Sequence, residues 1–331
     1  MNKLEIITLK ALRKIYSKLF GSKSLTYDRG IMDPDKASEL IYNLLASGKP
    51  CMIARYGSTE MFAITNYLGV TAKHHSVWKY IQGKQSAWWW EDNVKDQMTR
   101  WSGFFPSTDE NLMRFGEMMI EDSKLLDILG SWLSEEDFIK ENFNLSYQSV
   151  FLRNLEPFWC TQPWTRYLEG KRVVVVHPFA ETIMLQYENN RDKIFKNPKV
   201  LPQFKSLRVV KAVQSLGGDN NGFKDWFGAL QYMEHEIDKE DYDVCLIGCG
   251  AYGFPLAAHV KRLGKQAVHL GGALQLLFGI KGNRWEDPNY GVKEWGVPYG
   301  SYCNLINGFW VKPSIQDTPN NAKQVEGECY W

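Results

Sequence analysis

Asp243 to Gly272 reads DVCLIGCGAYGFPLAAHVKRLGKQAVHLGG, and this stretch decides the fold. Val244 to Ile247 is a continuous apolar run, as a strand buried on both faces requires. Gly248-Cys249-Gly250 makes a turn, after which Phe254, Leu256, Ala257, Val260 and Leu263 recur at helical spacing. Gly264 ends the helix, because glycine enters the left-handed conformation without a Cβ penalty. Gln266 to Leu270 is a second short strand, closed by Gly271-Gly272. Strand, helix and strand in about thirty residues predict a βαβ unit and with it a parallel sheet. The expected fold class is α/β, with a Rossmann-like, mostly parallel sheet and flanking helices. Ligands of such sheets sit outside the carboxyl ends of the strands, where Gly248 to Gly250 and His269 to Gly272 would lie.

Working outward, the same alternation extends upstream. Lys171 to His177 (KRVVVVH) and Leu207 to Val213 read as strands, Glu181 to Tyr187 opens a helix, and Gly222 to Ile237 carries an inner stripe of apolar residues. Asp33-Pro34 is a helix start, with an N-cap acceptor followed by proline at the first helical position. Pro50 to Arg55 is a further short strand. Residues 72–150 read as a mainly helical insertion. Within it, adjacent His74 and His75 do not suit two ligands on one helix face, and Trp88-Trp89-Trp90 places at least one indole in solvent or a cleft. Glu135-Glu136-Asp137 reads as a solvated helix start. The expected organisation is an N-terminal helix and connector over residues 1–30, an α/β domain over 31–281, and an irregular extension over 282–331. That extension is rich in Trp, Tyr, Pro and Gly; it reads either as a lining for an acceptor site or as a packing strap.

The balance of 39 Lys and Arg against 38 Asp and Glu leaves a net charge of +1 without a dense basic patch, which argues against a nucleic-acid binder. Thirteen tryptophans give either a large aromatic core or flat platforms for sugar rings. The six cysteines, at 51, 160, 245, 249, 303 and 329, form no C-x-x-C pair and read as free thiols of a cytoplasmic protein. No apolar run reaches about 18 residues, so no transmembrane helix is expected. Residues 2–20 form a basic amphipathic helix in which Leu4, Ile7, Leu12, Ile15 and Leu19 can share one face. Two readings stand for it: peripheral contact with an anionic membrane surface at the inner face, or an ordinary helix docked on the body.

Two places carry candidate chemistry. At the first, Ile53-Ala54-Arg55-Tyr56-Gly57-Ser58-Thr59-Glu60, a strand runs into a helix that Ser58 or Thr59 can cap. Helix amides, the Arg55 cation and the Glu60 carboxylate then converge in a corner suited to phosphate and hydroxyls; an Arg55–Glu60 ion pair is the plainer reading. At the second, Gly248-Cys249-Gly250-Ala251-Tyr252-Gly253 fits G-x-G-x-x-G between a strand and a helix. The acidic residue a dinucleotide fold would place at the end of the next strand is replaced by His269. His177 and His269 both end strands on the same edge, which suits contact with a diphosphate or hydroxyls, or a structural role. No nucleophile elbow, Walker A loop or H-E-x-x-H is found.

In the order of these parts, from about residue 36 to 280, the chain resembles the GT-D-fold glycosyltransferases, bacterial enzymes of surface-glycan and glycoprotein assembly. The segment from Ile53 to Glu60 is similar to the family's I-x-R-[FY]-G-D-G-E motif, and Leu246 to Gly271 to its late strand–glycine-turn–helix–strand segment. The resemblance implies transfer of a sugar from a nucleotide diphosphosugar to a glycan or lipid-linked acceptor in polysaccharide or glycoprotein biosynthesis. By position it matches Arg55, Gly57 and Glu60 to the motif's arginine, glycine and second acid; for such a transfer Glu60 is expected as the catalytic acid–base or hydroxyl-orienting group, with Arg55, Gly57, Ser58, His177, Gly248, Gly250 and His269 around the donor. The family's D-x-E holds a divalent cation, Mn²⁺ or Mg²⁺; Ser58 stands here for the first acid, leaving Glu60 as the single carboxylate. An NAD(P)-dependent oxidoreductase and a non-catalytic sugar-nucleotide or glycan-binding protein are the alternatives.

Overall fold

A computed structural model describes residues 2–21, 29–215, 219–318 and 330–331. The connector after the first helix, Cys329 and most of the last stretch of the tail lie largely outside the described residues. In chain order the principal elements are α1 (Lys3–Phe20), α2 (Pro34–Ala46), β1 (Cys51–Ala54), α3 (Ser58–Thr71), α4 (Val77–Ile81), α5 (Asp92–Arg100) and α6 (Asp109–Ser123). Then follow β2 (Ile128–Ser131), α7 (Glu135–Asn142), β3 (Gln148–Phe151), β4 (Arg172–His177), α8 (Ala180–Ile194), β5 (Ser206–Lys211), α9 (Trp226–Asp238), β6 (Val244–Ile247), α10 (Gly253–Arg262) and β7 (Gln266–His269). The seven strands form one sheet, wholly parallel, in the order β3-β2-β1-β7-β6-β4-β5. The fold is α/β and Rossmann-like, as the βαβ reading of residues 243–272 predicts.

Both faces of the sheet are covered, which is why its strands are apolar at nearly every position. Met52, Ala54, Val174, Val176, Cys245 and Ile247 face one core, packed by α3, α6, α9 and α10. Their neighbours Cys51, Ile53, Val173, Val175, Val244 and Leu246 face the other, packed by α2, α8 and the segment after β7. The division obeys one rule. Connections that run toward the β3 edge (through α3, α7, α9 and α10) put their buried residues in the first core. Connections that run toward the β5 edge, through Leu155 to Leu168 and through α8, put theirs in the second. A single crossover hand demands this sorting.

One expectation about the first half changes. Residues 72–150 hold four helices, but also β2 and β3, so this segment builds one side of the sheet. Each of these strands has only four residues, and the Leu125, Leu126 and Ile128 run that continues the apolar stripe of α6 belongs to the turn and β2. Trp88 to Trp90 lie in an irregular segment, where Trp88 lines an apolar groove beside α1. The expected cap of α2 is present: Asp33 accepts from the amides of Asp35 and Lys36 at 2.9 and 3.0 Å. The five described cysteines are free. No helix among the described residues is long and apolar enough to cross a membrane.

Candidate functional site

The connection leaving β4 turns toward the β5 edge, whereas the one leaving β6 turns toward β7. Adjacent strands that part in this way leave a crevice at their carboxyl ends, where open parallel sheets bind ligands. A cavity of about 340 Å³ lies there, and residues following all seven strands contribute to its wall. Arg55, Gly57, Ser58, Glu60, His177, Gly248, Gly250 and His269 all line it. Residues separated by more than two hundred positions in sequence meet because β1 pairs with β7, in the register Ile53 to Val268.

At the end of β1 the capping expectation is corrected. The N-cap of α3 is Gly57, in extended conformation (φ −79°, ψ 150°), and Ser58 and Thr59 already lie within the first turn without a side-chain cap. Glu60, in that same turn, folds back over Gly57; a methyl group there would sit 1.6 Å from its Oε2. Glycine is therefore the residue that lets the carboxylate reach the cavity wall. Glu60 is 8 % exposed and makes no hydrogen bond or ion pair with the described residues. Arg55 is not its partner. The Arg55 guanidinium packs on Gly271 and lies 5.1 Å from the Trp132 ring centroid; its Nε is buried with no hydrogen-bond partner among the described residues. A cation held on an aromatic face without a counter-ion is a ready anion site.

Trp132 is held in turn. Its Nε1 donates to the Tyr56 carbonyl at 3.0 Å, and its backbone amide meets the Glu136 carboxylate, which also accepts from the Ser131 hydroxyl at 2.5 Å. Glu136 is thus not a solvated helix-start residue: at 1 % exposed, burial pushes its carboxyl up to about 7, against the hydrogen bonds from Ser131, Trp132 and Leu133 and the field of Arg55. It reaches inward because the first turn of α7 folds back on the end of β2.

The two histidines are neutral and differ in tautomer. Burial pushes each down to about 3, with Arg55 adding to the effect at His269. His177 Nδ1 accepts from the Phe179 amide at 3.0 Å, so a neutral ring carries its proton on Nε2. His269 Nδ1 lies 3.1 Å from the Ile247 carbonyl, which can only accept, so that ring carries its proton on Nδ1 and keeps a lone pair on Nε2. One ring therefore offers a donor and the other an acceptor at Nε2.

The glycine turn divides its labour. A methyl group at Gly253 would fall 2.1 Å from the His269 ring, and one at Gly248 would fall 2.7 Å from the Gly271 carbonyl. These two glycines serve close packing. Gly250 has φ +58° and open space around it, so here the backbone can approach a ligand.

Several lining residues escape the sequence reading. Glu156 sits in irregular backbone after β3, where no periodicity marks it. It is 9 % exposed and accepts from Trp159 Nε1 at 2.5 Å and Tyr302 Oη at 2.9 Å. Burial pushes its carboxyl up to about 7, despite these bonds and Arg153. The tail supplies Arg284, Trp285, Tyr290, Trp295, Tyr330 and Trp331. Trp331 Nε1 is a buried donor without a partner among the described residues.

Glu156 gives a pH prediction whose sign follows from linkage. An ordinary glutamate ionises near 4.5, so between 4.5 and about 7 the folded chain holds a proton that the unfolded chain has lost. That contribution to stability is complete below 4.5 and lost as pH rises through about 7. Glu156→Gln keeps an acceptor for Trp159 and Tyr302 and cannot ionise. In urea denaturation its stability relative to the native chain is expected to climb across this window. A flat difference would mean that Glu156 is ionised in the fold.

Comparisons with family models, with curated proteins and with solved structures give no match to this chain.

Proposed function

We propose that the chain is a glycosyltransferase that moves a sugar from a nucleotide diphosphosugar to a glycan or lipid-linked acceptor in bacterial polysaccharide or glycoprotein biosynthesis. The observation that carries this reading is the meeting of Arg55, Glu60, the Gly248–Gly250 turn and the two neutral histidines in one cavity with aromatic walls. Arg55 without a counter-ion and the open backbone at Gly250 suit a diphosphate. The donor on His177 and the acceptor on His269 suit neighbouring hydroxyls of a sugar, and the tryptophan and tyrosine rings of the tail suit its apolar faces.

In the reaction, the acceptor hydroxyl gives its proton to Glu60 as its oxygen bonds the anomeric carbon. The bond from that carbon to the diphosphate oxygen breaks, and the nucleoside diphosphate leaves with the electron pair. Arg55 and His177 stabilise the departing charge by donors already in place. The protein by itself supplies few donors for a divalent cation. Glu60 is the single carboxylate at the corner, joined by the hydroxyls of Ser58 and Thr59, and no group of three His, Cys, Asp or Glu among the described residues could hold a metal ion. No step is therefore routed through one.

The oxidoreductase alternative meets a geometric difficulty. The position that should carry a carboxylate for a ribose holds His269, 3 % exposed, with Nδ1 already engaged by Ile247. The test is a thermal-shift screen of UDP-, GDP- and dTDP-sugars and NAD(P)H, each with Mn²⁺ and with chelator. A ligand at about 100 times its dissociation constant adds roughly 2.7 kcal/mol, a readily visible shift. A sugar nucleotide is expected to shift the midpoint equally with and without chelator. Arg55→Ala should weaken that ligand by roughly 10- to 100-fold, the worth of a charge-assisted contact. A shift with NAD(P)H alone, or full affinity in the Arg55 variant, would overturn the assignment.

A further inference from the structure

We infer that α1, with the adjoining Val77 and Trp78, is a docking surface for an anionic lipid bilayer. The helix has two apolar faces, and the body of the protein covers only one of them. Ile6, Leu9, Arg13 and Tyr16, at three- and four-residue spacing, are its half-buried positions. Tyr16 packs edge-on against Trp78 at 5.7 Å, Arg13 lies 4.8 Å from the Tyr80 centroid, and Lys10 is paired with Glu91. Leu4, Ile7, Leu12, Ile15 and Leu19, which the sequence places on one face, are left 43 to 74 % exposed. No residue of α1 is buried. Val77 and Trp78, 50 and 59 % exposed, stand beside them.

Charge decides what covers this face. The helix carries Lys3, Lys10, Arg13, Lys14 and Lys18 against the single acid Glu5. Lys3, Lys14 and Lys18 recur at eleven- and four-residue steps, so they form one stripe along the flank of the exposed apolar face, with Lys10 on the same flank held by Glu91. A second copy of the chain docked face to face would bring two such stripes together with little acid to offset them. An anionic bilayer meets both features at once, taking the leucines and isoleucines below the headgroups while the lysines extend to phosphate. Trp78 is a residue type favoured at that boundary. At 1.5 Å per residue the helix is about 27 Å long, enough to lie along the surface. An open groove lined by Leu4, Leu9, Val77 and Trp88 gives acyl chains a recess on the same side.

The full chain is to be co-sedimented with vesicles of phosphatidylcholine and with vesicles containing roughly a third phosphatidylglycerol. Binding to the anionic vesicles is expected to be at least about tenfold tighter and to weaken with salt. An Ile7→Glu, Ile15→Glu double variant, changed only at exposed positions, should lose about tenfold of that binding with its thermal midpoint unchanged. Equal partition to both vesicle types, or a variant that binds as well as the native chain, would overturn the inference. So would a dimer in sedimentation velocity that the variant disperses, coupled with no vesicle binding, since a second copy would then cover the face.

Discussion

Glu60→Gln is expected to leave the affinity for the sugar nucleotide within about threefold of the native value while lowering the rate of sugar transfer by about 10²- to 10⁴-fold. The amide keeps the shape of the carboxylate and the space over Gly57, so what it removes is the ability to take a proton. No described residue pairs with Glu60, so the substitution leaves no ion pair broken and no buried donor stranded. Affinity by thermal shift and turnover by release of the nucleoside diphosphate separate the outcomes. Loss of affinity together with rate would make Glu60 an orienting group for the donor. Binding with no turnover in the native chain itself would point to the non-catalytic alternative.

Trp226→Ala is expected to cost about 3–5 kcal/mol of stability, the usual toll of emptying a buried tryptophan site. Trp226 is wholly buried and stacks on Tyr252 at 4.7 Å with the rings 7° from parallel. Phe104, Phe115 and Phe227 pack around it at centroid distances of 5.3 to 5.5 Å. Its Nε1 has no hydrogen-bond partner among the described residues, so the loss comes from packing and the cavity left behind. A fall of the thermal midpoint by roughly four to seven degrees follows for a chain of 331 residues. The effect should also reach the ligand. Tyr252 lines the cavity and shares a hydrogen bond of 2.7 Å with Ser215, which in turn donates to the Gly103 carbonyl at 2.6 Å. Trp226→Phe, which keeps an aromatic partner for Tyr252, should lose much less of both. A midpoint unmoved in Trp226→Ala would show that this aromatic cluster closes over the gap.

Much of this was legible because the strands β1, β4, β6 and β7 are apolar runs bounded by turns, and both-face burial leaves that signature. His177 and His269 could be placed at strand ends for the same reason. β2 was hidden because Leu125, Leu126 and Ile128 read on from the apolar stripe of α6, and β3 because it opens on the polar pair Gln148-Ser149; Glu156 and Trp132 were hidden with them, since the position of a residue after a strand is readable only once the strand is seen. The cap of α3 was misplaced because Ser58 and Thr59 have better capping side chains than Gly57; the close approach of Glu60 outweighs that preference. Glu136 shows the limit of composition, since nothing in three consecutive acids tells which one the fold will bury.

The strand order has a consequence for how the chain comes off the ribosome. Before residue 243 is made, the strands already synthesised can form only two separate small sheets, β3-β2-β1 and β4-β5, each with an open edge at β1 or β4. β6 and β7 fill the gap between them, pairing with β4 on one side and β1 on the other. At about 5–20 residues per second, the β1 edge waits some tens of seconds for its neighbour. Unpaired edges of this kind recruit other chains. The last βαβ unit is thus a keystone: until it arrives, the edges of β1 and β4 stay open to wrong partners.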